Sequence, residues 1–414
     1  HISVAKLEGV IHPPAAEYVL RAIEQSEKDK SECLIIELDT PGGLDDAMRE
    51  ITKLILNAKI PVIVYVHPSG ARCASAGVFI LLSAHIAAMT PGTNVGAAHP
   101  VAMGQKIEGE MKDKVENDAV AYIKSIAKKR GKNVKWAEEA VRKSVSVTDE
   151  EALELGIIDI RANNLQELVD SLDGRSVATE TDTLILHTKG STTKSIESTF
   201  KERFFSKIAN PTIAYILLML GLWGIILEFS HPGATFPGVF GGISLILAFY
   251  SFHLLPINYA GVGLIILGFG LFILEAITPT YGPLSIGGVA SLTLGSIMLV
   301  RVKAEFLQID RIAIIIAVVL TGSFFVFVLY KIFSTMKRKP ITGKRGLTGQ
   351  IGVVREKIEL NKEGKVFIVG EWWNAIADET IEVGEKVKII AIEGLTMKVS
   401  KSVPTQNVSG IEHK

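Results

Sequence analysis

A serine within a run of small residues is the first group in this sequence that could do chemistry. Ser75 lies in the stretch GARCASAG at 70–77, directly after the apolar strand pattern 61–66 and before a helix-compatible run. A serine on a tight strand-to-helix turn exposes its hydroxyl, and the free N–H groups at the helix start attract any negative charge that develops there. The stretch therefore predicts a nucleophile, although an ordinary glycine-alanine turn would fit the same residues.

A pair of glycines could supply the second half of such a site. The apolar run 33–38 stops at the turn DTPGG, which ends in Gly42 and Gly43. Glycine permits unusual backbone angles and bares its N–H group. Either glycine, together with Ala76, could therefore form an oxyanion hole beside the Ser75 hydroxyl. The alternative is that this glycine pair makes only a chain reversal.

Strand and helix patterns alternate through the first 173 residues and would bring the two turns together. The run 33–38 is apolar almost throughout, which is typical of a strand buried on both faces, and helix patterns at 15–27 and 44–57 flank it. Such alternation predicts a mainly parallel sheet covered by helices, with sites at the carboxyl ends of the strands. Both turns follow such strand ends.

Three motifs resemble one known family. The segments LDTPGGL at 38–44, ASAG at 74–77 and NVGAAHP at 94–100 are similar to those of the NfeD family of membrane-bound serine proteases, and the likeness covers essentially the whole chain. The resemblance implies a ClpP/crotonase-like spiral fold, Ser75 as nucleophile and a lysine as base. A non-catalytic membrane scaffold and a crotonase-like acyl-CoA hydrolase are the alternative functions.

Three side chains are candidates for the base. Members of the family place a lysine before a hydrophobic-x-Asn pattern, which KVEN at 114–117 matches, so the resemblance favours Lys114. Lys112 lies two residues away. A lysine acts as a base only when burial or nearby positive charge lowers its pKa from about 10.4. His99 is the alternative base, because it follows Ser75 at an interval like that in ClpP and imidazole titrates near neutrality.

The composition indicates a membrane protein with polar ends. Of the 414 residues 48% are hydrophobic, and the mean hydropathy is +0.33. Apolar runs close to the length of about 20 residues that spans a bilayer occur at 212–227, 238–255, 259–274, 284–300 and 312–330. The sequence therefore predicts about five transmembrane helices.

An internal repeat lies within this membrane region. The segment LGLWGIILE at 220–228 is echoed by LGFGLFILE at 267–275, and each is followed by a proline and a glycine pair. Duplicated helix pairs explain such a repeat. Glu228 and Glu275 occupy equivalent positions, and we interpret them as boundary residues rather than as an ion pathway.

The charge pattern predicts an orientation in the membrane. Basic residues follow the last apolar run at 331–345, which indicates a cytoplasmic C-terminus and, with an odd number of spans, an extracytoplasmic protease domain. The basic residues of the loop 301–311 argue against this orientation. The chain begins at His1 rather than at methionine, which is compatible with a secretion signal removed before this numbering starts.

Short alternating strands with glycine turns follow the membrane region and predict a small closed barrel. The resemblance implies an OB-fold here. Trp372 and Trp373 are aromatic residues of the kind that OB-folds use to bind nucleic acid, but the strands mix acidic and basic residues and the formal net charge of the chain is zero. We therefore expect a protein partner and no nucleic acid; the resemblance implies a stomatin- or flotillin-like (SPFH) membrane protein.

The expected organisation completes the prediction. We expect a ClpP-like serine protease domain at 1–173, a linker at 174–210, a membrane region at 211–333, an OB-fold domain at 341–403 and a tail at 404–414. The expected function is that of a Ser-Lys endopeptidase that cleaves apolar peptide segments. We expect the protein to be integrated into the lipid bilayer of the cell membrane through several spans. We expect a homo-oligomer of at least two copies, with no cofactor and no metal.

Overall fold

The computed structural model describes residues 1–100, 110–230, 235–255, 257–278, 280, 282–300, 308–336, 344–360 and 362–402. The chain divides into two compact units, His1–Phe325 and Val326–Lys414. The elements of the N-terminal domain are β1 (Ile2–Glu8), α1 (Pro13–Lys28), β2 (Leu34–Asp39), α2 (Asp45–Leu56), β3 (Val62–Val66), β4 (Arg72–Ala74), α3 (Ala76–Ser83), β5 (Ile86–Met89), β6 (Asn94–Gly96), α4 (Glu110–Lys129), α5 (Val134–Arg142), β7 (Ser146–Thr148), α6 (Asp149–Glu154), β8 (Ile160–Arg161), α7 (Leu165–Leu172), β9 (Ser176–Ala178), β10 (Thr183–Ile185), β11 (Thr193–Ile196) and α8 (Phe200–Ile208).

A parallel sheet forms the centre of this domain. Its six strands follow the order β11-β1-β2-β3-β5-β8, and all of their pairings are parallel. All five residues of β3 are buried, as are five of the six residues of β2, because helices cover both faces of such a sheet. The predicted α/β fold is confirmed.

A second layer of short pairings makes the domain a spiral. After each of the four strands β1, β2, β3 and β5 the chain forms a short strand or a single bridge before the next helix, and these short segments pair with each other in parallel. The pairings are Ile11 with Gly43, Thr40 with Cys73, and β4 with β6. This repeat is the spiral that the family resemblance implies, and it brings each strand-to-helix turn against the next.

The stretch expected to be a linker contributes to the sheet. Within 174–210 the strands β9 and β10 form a hairpin, β11 pairs with β1, and α8 follows. Only Ile196 of the four residues of β11 is buried. An edge strand needs few apolar residues. The mainly polar sequence of β11 therefore resembles that of a linker between domains.

Five apolar helices form the membrane region, namely α9 (Pro211–Ser230), α10 (Thr235–Leu254), α11 (Tyr259–Ile277), α12 (Pro283–Leu299) and α13 (Arg311–Met336). Four are long and apolar enough to cross a membrane, whereas α12 has 17 residues. At one end of the bundle the Asn258 N–H donates to the Leu299 carbonyl at 2.8 Å, and the Asp310 N–H donates to Thr212 Oγ1 at 2.9 Å. The end of α12 therefore meets the start of α11. Although α12 is the shorter helix, it lies antiparallel to α11 along nearly the full length of that helix.

Glycines let the helices of each hairpin touch. A Cβ atom on Gly224 of α9 would lie 2.6 Å from the Gly241 Cα of α10, and one on Gly268 of α11 would lie 3.0 Å from the Gly288 carbonyl oxygen of α12. Lipid tails are as apolar as the helices, so helix association in a bilayer depends on such close packing.

Glu275 explains the polar part of the repeat. Its carboxylate is fully buried and accepts hydrogen bonds from the N–H groups of Thr280, Gly282, Leu284 and Ser285 and from Thr280 Oγ1, at 2.9–3.2 Å. These donors surround the N-terminus of α12, where free N–H groups and the helix dipole favour an anion. Glu228 is its counterpart and, among the described residues, accepts one hydrogen bond, from the Gly238 N–H at 3.3 Å.

The C-terminal unit contains a closed barrel after a short helix, α14 (Lys344–Leu347). Its strands are β12 (Ile351–Glu356), β13 (Gly364–Ile368), β14 (Glu371–Ala377), β15 (Lys386–Glu393) and β16 (Thr396–Lys401). They close in the order β12-β13-β14-β16-β15, with a parallel pairing of β14 and β16. This topology confirms the predicted OB-fold. A shallow cavity of about 640 Å³ on its surface is lined by Arg355, Glu356, Lys365, Trp372 and Asn374.

We expect Glu275→Ala to destabilise the protein far more than Glu228→Ala. The first change removes the acceptor of four N–H groups, of which that of Ser285 is buried and those of Gly282 and Leu284 are partly buried. A buried N–H group without an acceptor costs about 1–3 kcal/mol. The measurement is the thermal unfolding midpoint of both variants in detergent micelles, with Glu275→Gln as an intermediate that keeps one acceptor oxygen. Equal midpoints for the two alanine variants would show that the carboxylate does not hold the hairpin.

Candidate functional site

Ser75 lies in a strained turn between a strand and a helix. Its φ is +53° and its ψ is −111°, in a region that side chains rarely adopt and that occurs mainly where the surroundings enforce it. The Ser75 N–H donates to the Gly96 carbonyl at 3.2 Å, and the preceding Ala74 N–H donates to the Thr40 carbonyl at 3.1 Å. Neighbouring turns of the spiral thus hold the strained residue from both sides. Its hydroxyl does not cap α3 and forms no hydrogen bond with the residues that the structure describes.

The two glycines of the first turn are required by contact. Gly42 has a φ of +118°, and a Cβ atom there would lie 2.7 Å from Ser75 Cβ and 3.2 Å from Ser75 Oγ. A Cβ atom on Gly43 would lie 2.1 Å from the Ile11 carbonyl oxygen. The fold therefore brings the glycine turn against Ser75, as the sequence predicts for neighbouring strand ends.

The N–H groups of the two glycines have different surroundings. The Gly42 N–H donates to Thr40 Oγ1 at 3.0 Å, and the same hydroxyl donates to the Gly42 carbonyl at 3.1 Å. In the described part of the chain, the N–H groups of Gly43 and Ala76 have no acceptor. Ala76 is the first residue of α3, where N–H groups have no partner within the helix. Gly43 and Ala76 are thus the residues of this site whose donors are free for an anion.

In the described structure the three candidate bases form no hydrogen bond with Ser75. Lys112 and Lys114 are exposed on the first turns of α4. His99 Nδ1 lies 2.9 Å from the Val141 carbonyl oxygen and so donates to it, which leaves Nε2 as the acceptor of the ring. Among the residues that the structure describes, no hydrogen bond joins any of the three to Ser75 Oγ.

Two arginines hold the helix that carries the lysines. Arg49 of α2 donates from Nη2 to Asp118 Oδ2 at 2.5 Å, and Arg142 of α5 donates to Glu116 Oε1 at 3.1 Å and to Asn117 Oδ1 at 3.0 Å. Three successive residues of α4, just after Lys114, therefore form side-chain hydrogen bonds with neighbouring helices. Sequence reasoning missed both arginines, because nothing in the spacing of distant residues predicts which helices meet.

Thr40 and Gly96 were also missed. Thr40 is fully buried and organises the glycine turn through its hydroxyl, and its methyl group lies where a side chain on Gly77 would be, 2.7 Å from a Cβ atom there. A threonine two residues before a glycine is a turn signal that could have identified the first of these roles. Gly96 acts through its carbonyl, which carries no sequence signal.

The glycine turn also contacts the membrane region. Leu44, which follows Gly43, and Val10 both pack against the buried core of the membrane helices. His12 Nε2 lies 2.9 Å from Ser206 Oγ of α8. Burial lowers the pKa of His12 below its usual range, so the neutral ring donates through Nε2 while Nδ1 accepts the Ala15 N–H. The site therefore lies on the side of the domain that faces the membrane helices.

The cysteine of this turn is not a second nucleophile. Cys73 is fully buried, and burial raises the pKa of its thiol well above the usual range, so the reactive thiolate is disfavoured. Within the described ranges no group of three or more His, Cys, Asp or Glu residues is placed to hold a metal ion.

Three family models match consecutive parts of the chain. Residues 2–195 match the NfeD1b N-terminal domain, residues 212–331 match the NfeD integral membrane domain, and residues 344–401 match the NfeD-like C-terminal, partner-binding domain.

Relatives of known sequence extend over nearly the full length. The membrane-bound protease PH1510 of Pyrococcus horikoshii is 38% identical over 411 residues, which cover 96% of this chain and 92% of the relative. Membrane protein NfeD1b of Bacillus subtilis is 27% identical, covering 95% of this chain and 91% of the relative. A solved structure of the 1510-N membrane protease specific for a stomatin homolog, from Pyrococcus horikoshii, is 37% identical, covers 50% of this chain and 97% of its own, and has a TM-score of 0.45.

We expect Gly42→Ala to slow the reaction of Ser75 with a fluorophosphonate by about 100-fold, since displacement of a reacting group by about 1 Å has an effect of that size. Gly70→Ala is the matched control, because Gly70 also has a positive φ of +89° but nothing lies within 4 Å of its Cβ position. The adduct on Ser75 is followed by mass spectrometry, and thermal unfolding shows that both variants are folded. Similar rates for the two variants would contradict a steric role for Gly42.

Proposed function

Because the chain belongs to the NfeD family, we propose that it is a membrane-bound serine endopeptidase in which Ser75 is the nucleophile and Lys114 the base. The observation that carries the proposal is the contact of the strained Ser75 turn with Gly42, beside two N–H groups without acceptors. A scaffold protein would not require a serine with strained backbone angles, nor a neighbouring Gly42 that has no room for a Cβ atom.

The proposed reaction follows the usual course of acyl transfer. Ser75 Oγ attacks the carbonyl carbon of the scissile peptide while Lys114 Nζ takes the hydroxyl proton. The N–H groups of Gly43 and Ala76 stabilise the oxyanion. Lys114 then gives the proton to the leaving amine, which departs and leaves an acyl-enzyme. Water attacks the ester of the acyl-enzyme while Lys114 takes a proton from it. The second oxyanion then collapses, the acid leaves, and Lys114 gives the proton back to Ser75 Oγ.

Lys114 must approach Ser75 for this mechanism to operate. Its side chain is exposed here, whereas a lysine base must be neutral, a condition that burial promotes. We propose that a bound substrate draws the first turns of α4 over the site, as closing segments do in many enzymes. Lys112 and His99 are the alternative bases under this proposal.

The substrate class follows from the surroundings of the site. Leu44 joins the glycine turn to the core of the membrane helices, so a peptide segment that emerges from the bilayer would reach Ser75 directly. We propose that the substrate is an apolar peptide segment of a stomatin- or flotillin-like membrane partner, as the motif resemblance implies. The match of residues 344–401 to a partner-binding domain supports a role of the barrel in recruiting that partner, and we propose a homo-oligomer of at least two copies.

The proposed orientation rests on charge alone. We propose an extracytoplasmic protease domain and a cytoplasmic C-terminus, because basic residues follow the last span. Three of the six basic residues at 331–345, namely Lys337, Arg338 and Lys339, lie outside the described residues. Most of the opposing loop, at 301–307, also lies outside them.

A non-catalytic scaffold is the competing function. It is favoured by the absence of a hydrogen bond between Ser75 and any candidate base in the described structure, and a relative that matches 95% of this chain is named only as a membrane protein. In that case the fold would organise partners in the membrane without cleaving them.

We expect Ser75→Ala to abolish both fluorophosphonate labelling and cleavage of an apolar peptide, and Lys114→Ala to lower both by about 100-fold to 10,000-fold, the usual contribution of a general base. The assays use the full chain in lipid nanodiscs. Lys112→Ala is the matched control, because Lys112 is an exposed lysine on the same helix, and it is expected to retain labelling and cleavage.

Two outcomes would change the proposal. Loss of labelling in His99→Ala with full labelling in Lys114→Ala would make His99 the base. Absence of any adduct on Ser75 in folded protein, also with a stomatin-like partner present, would favour the scaffold.

A further inference from the structure

One face of α8 carries exposed aromatic and basic side chains. Phe200 is 80% exposed and Phe204 is 37% exposed, and their rings stack at a centroid distance of 6.3 Å. At helical spacing, three basic residues flank this pair, and all are exposed: Lys201, Arg203 and Lys207. We call these five residues the aromatic-basic face of α8.

The opposite face attaches α8 to the N-terminal domain. Glu202 forms an ion pair with Arg21 of α1, with 2.7 Å between Oε1 and Nε, and it also completes a capping box with Thr199. Ser206 contacts His12, as described above. The helix is therefore fixed by residues outside its aromatic-basic face. Phe204 also lies edge-on to Phe205, with 5.5 Å between the ring centroids, but the described part of the domain leaves Phe200 almost uncovered.

Contacts with the membrane helices place α8 at the level of the bilayer surface. The helix ends at Ile208, and the first membrane helix begins at Pro211. The Ser251 hydroxyl of α10 donates to the Ile208 carbonyl, and the rings of Phe205 and Tyr250 lie 5.1 Å apart. Tyr250 and Ser251 belong to the last turns of α10. The helix α8 therefore lies where one span begins and another ends.

We propose that α8 is an interfacial anchor, whose aromatic-basic face enters the headgroup region of the bilayer and binds anionic phospholipids. Aromatic rings favour the boundary between headgroups and acyl chains, and lysine and arginine pair with lipid phosphates. Continuity with two spans puts the face at the depth that this chemistry needs.

The charge of the face distinguishes lipid from a second copy of the chain. In a two-fold symmetric contact the same patch meets itself, so three basic residues would meet three others without a counter-charge on the face. Like charges in such a contact oppose association. Anionic headgroups supply the missing negative charge, and the phenylalanines reach the acyl chains.

The anchor does not depend on peptidase activity. It links the bilayer surface to the glycine turn through a short path, because Ser206 of α8 holds His12, and Ile11 next to it bridges to Gly43. This path acts together with the direct contact of Leu44 with the membrane helices to hold that turn relative to the bilayer.

The test places an environment-sensitive fluorophore at Phe200→Cys in the full chain, in nanodiscs of phosphatidylcholine with phosphatidylglycerol. The native Cys33 and Cys73 are fully buried, and unlabelled wild type reports any residual modification. Leu153→Cys is the matched control, because Leu153 is an apolar residue that is 41% exposed on α6, beside the β8 edge of the sheet. We expect the probe at position 200 to emit at shorter wavelength and to be quenched by a nitroxide on the lipid chain near the headgroup. The probe at position 153 should be quenched by aqueous iodide instead.

A second variant tests the basic residues separately. Replacing Lys201, Arg203 and Lys207 by glutamine is expected to remove the dependence of lipid quenching on phosphatidylglycerol, while an unchanged thermal unfolding midpoint shows that the fold is intact. Quenching by iodide at position 200 equal to that at position 153 would overturn the anchor. Protection from both quenchers would also overturn it, and would indicate that another copy of the chain covers the face.

Discussion

The contact between Gly42 and Ser75 is the constraint on which the proposed site depends. Even a methyl group on Gly42 would not fit, because it would lie 2.7 Å from Ser75 Cβ, and this closeness lets one turn support the strained angles of the other. The spiral produces it, because each short segment after a strand pairs with the corresponding segment of the next turn. Thr40 then fixes the glycine turn from within by bonding both polar groups of Gly42. The geometry of the site thus arises mainly from backbone pairing. Glycine and other small residues contribute by leaving room for the close approach of the two turns.

Much of this arrangement could be predicted from the sequence, and the exceptions have physical causes. The buried strands, the glycine turn and the serine turn have strong local signals, so the α/β fold and the meeting of the two turns followed from pattern and topology. The role of Thr40 in the glycine turn has only the local signal of a threonine two residues before a glycine, and that of Gly96 lies in a carbonyl that every residue possesses. The position of Lys114 depends on Arg49 and Arg142, which lie 69 and 25 residues from their partners on α4. The sequence did not predict the edge strand β11, because an edge strand buries few residues and so lacks an apolar pattern.

The membrane region obeys a different balance of forces from the domain before it. In the N-terminal domain the burial of apolar side chains stabilises the sheet. In a bilayer that driving force between helices is absent, and the two hairpins rely on glycine contacts and on polar groups satisfied internally. Glu275 illustrates the second device, since one carboxylate serves five donors at the start of α12. The sequence repeat therefore reflects two repeated features: glycine contacts between the two helices of each hairpin, and an acidic residue that accepts hydrogen bonds near the start of the second helix. The second feature accounts for an acidic residue within an otherwise apolar stretch.

The closed barrel of the C-terminal unit restricts how a partner can be recognised. Every strand in it pairs on both sides, so no backbone edge is open to an added strand, and recognition by β-augmentation is excluded for the barrel as it stands. Recognition must then use side chains on its outer surface, such as those around Trp372. Side chains on a closed barrel can change without disturbing the backbone hydrogen bonds. A substitution on the outer surface of this barrel would therefore change what the barrel recognises and leave its backbone pairing intact.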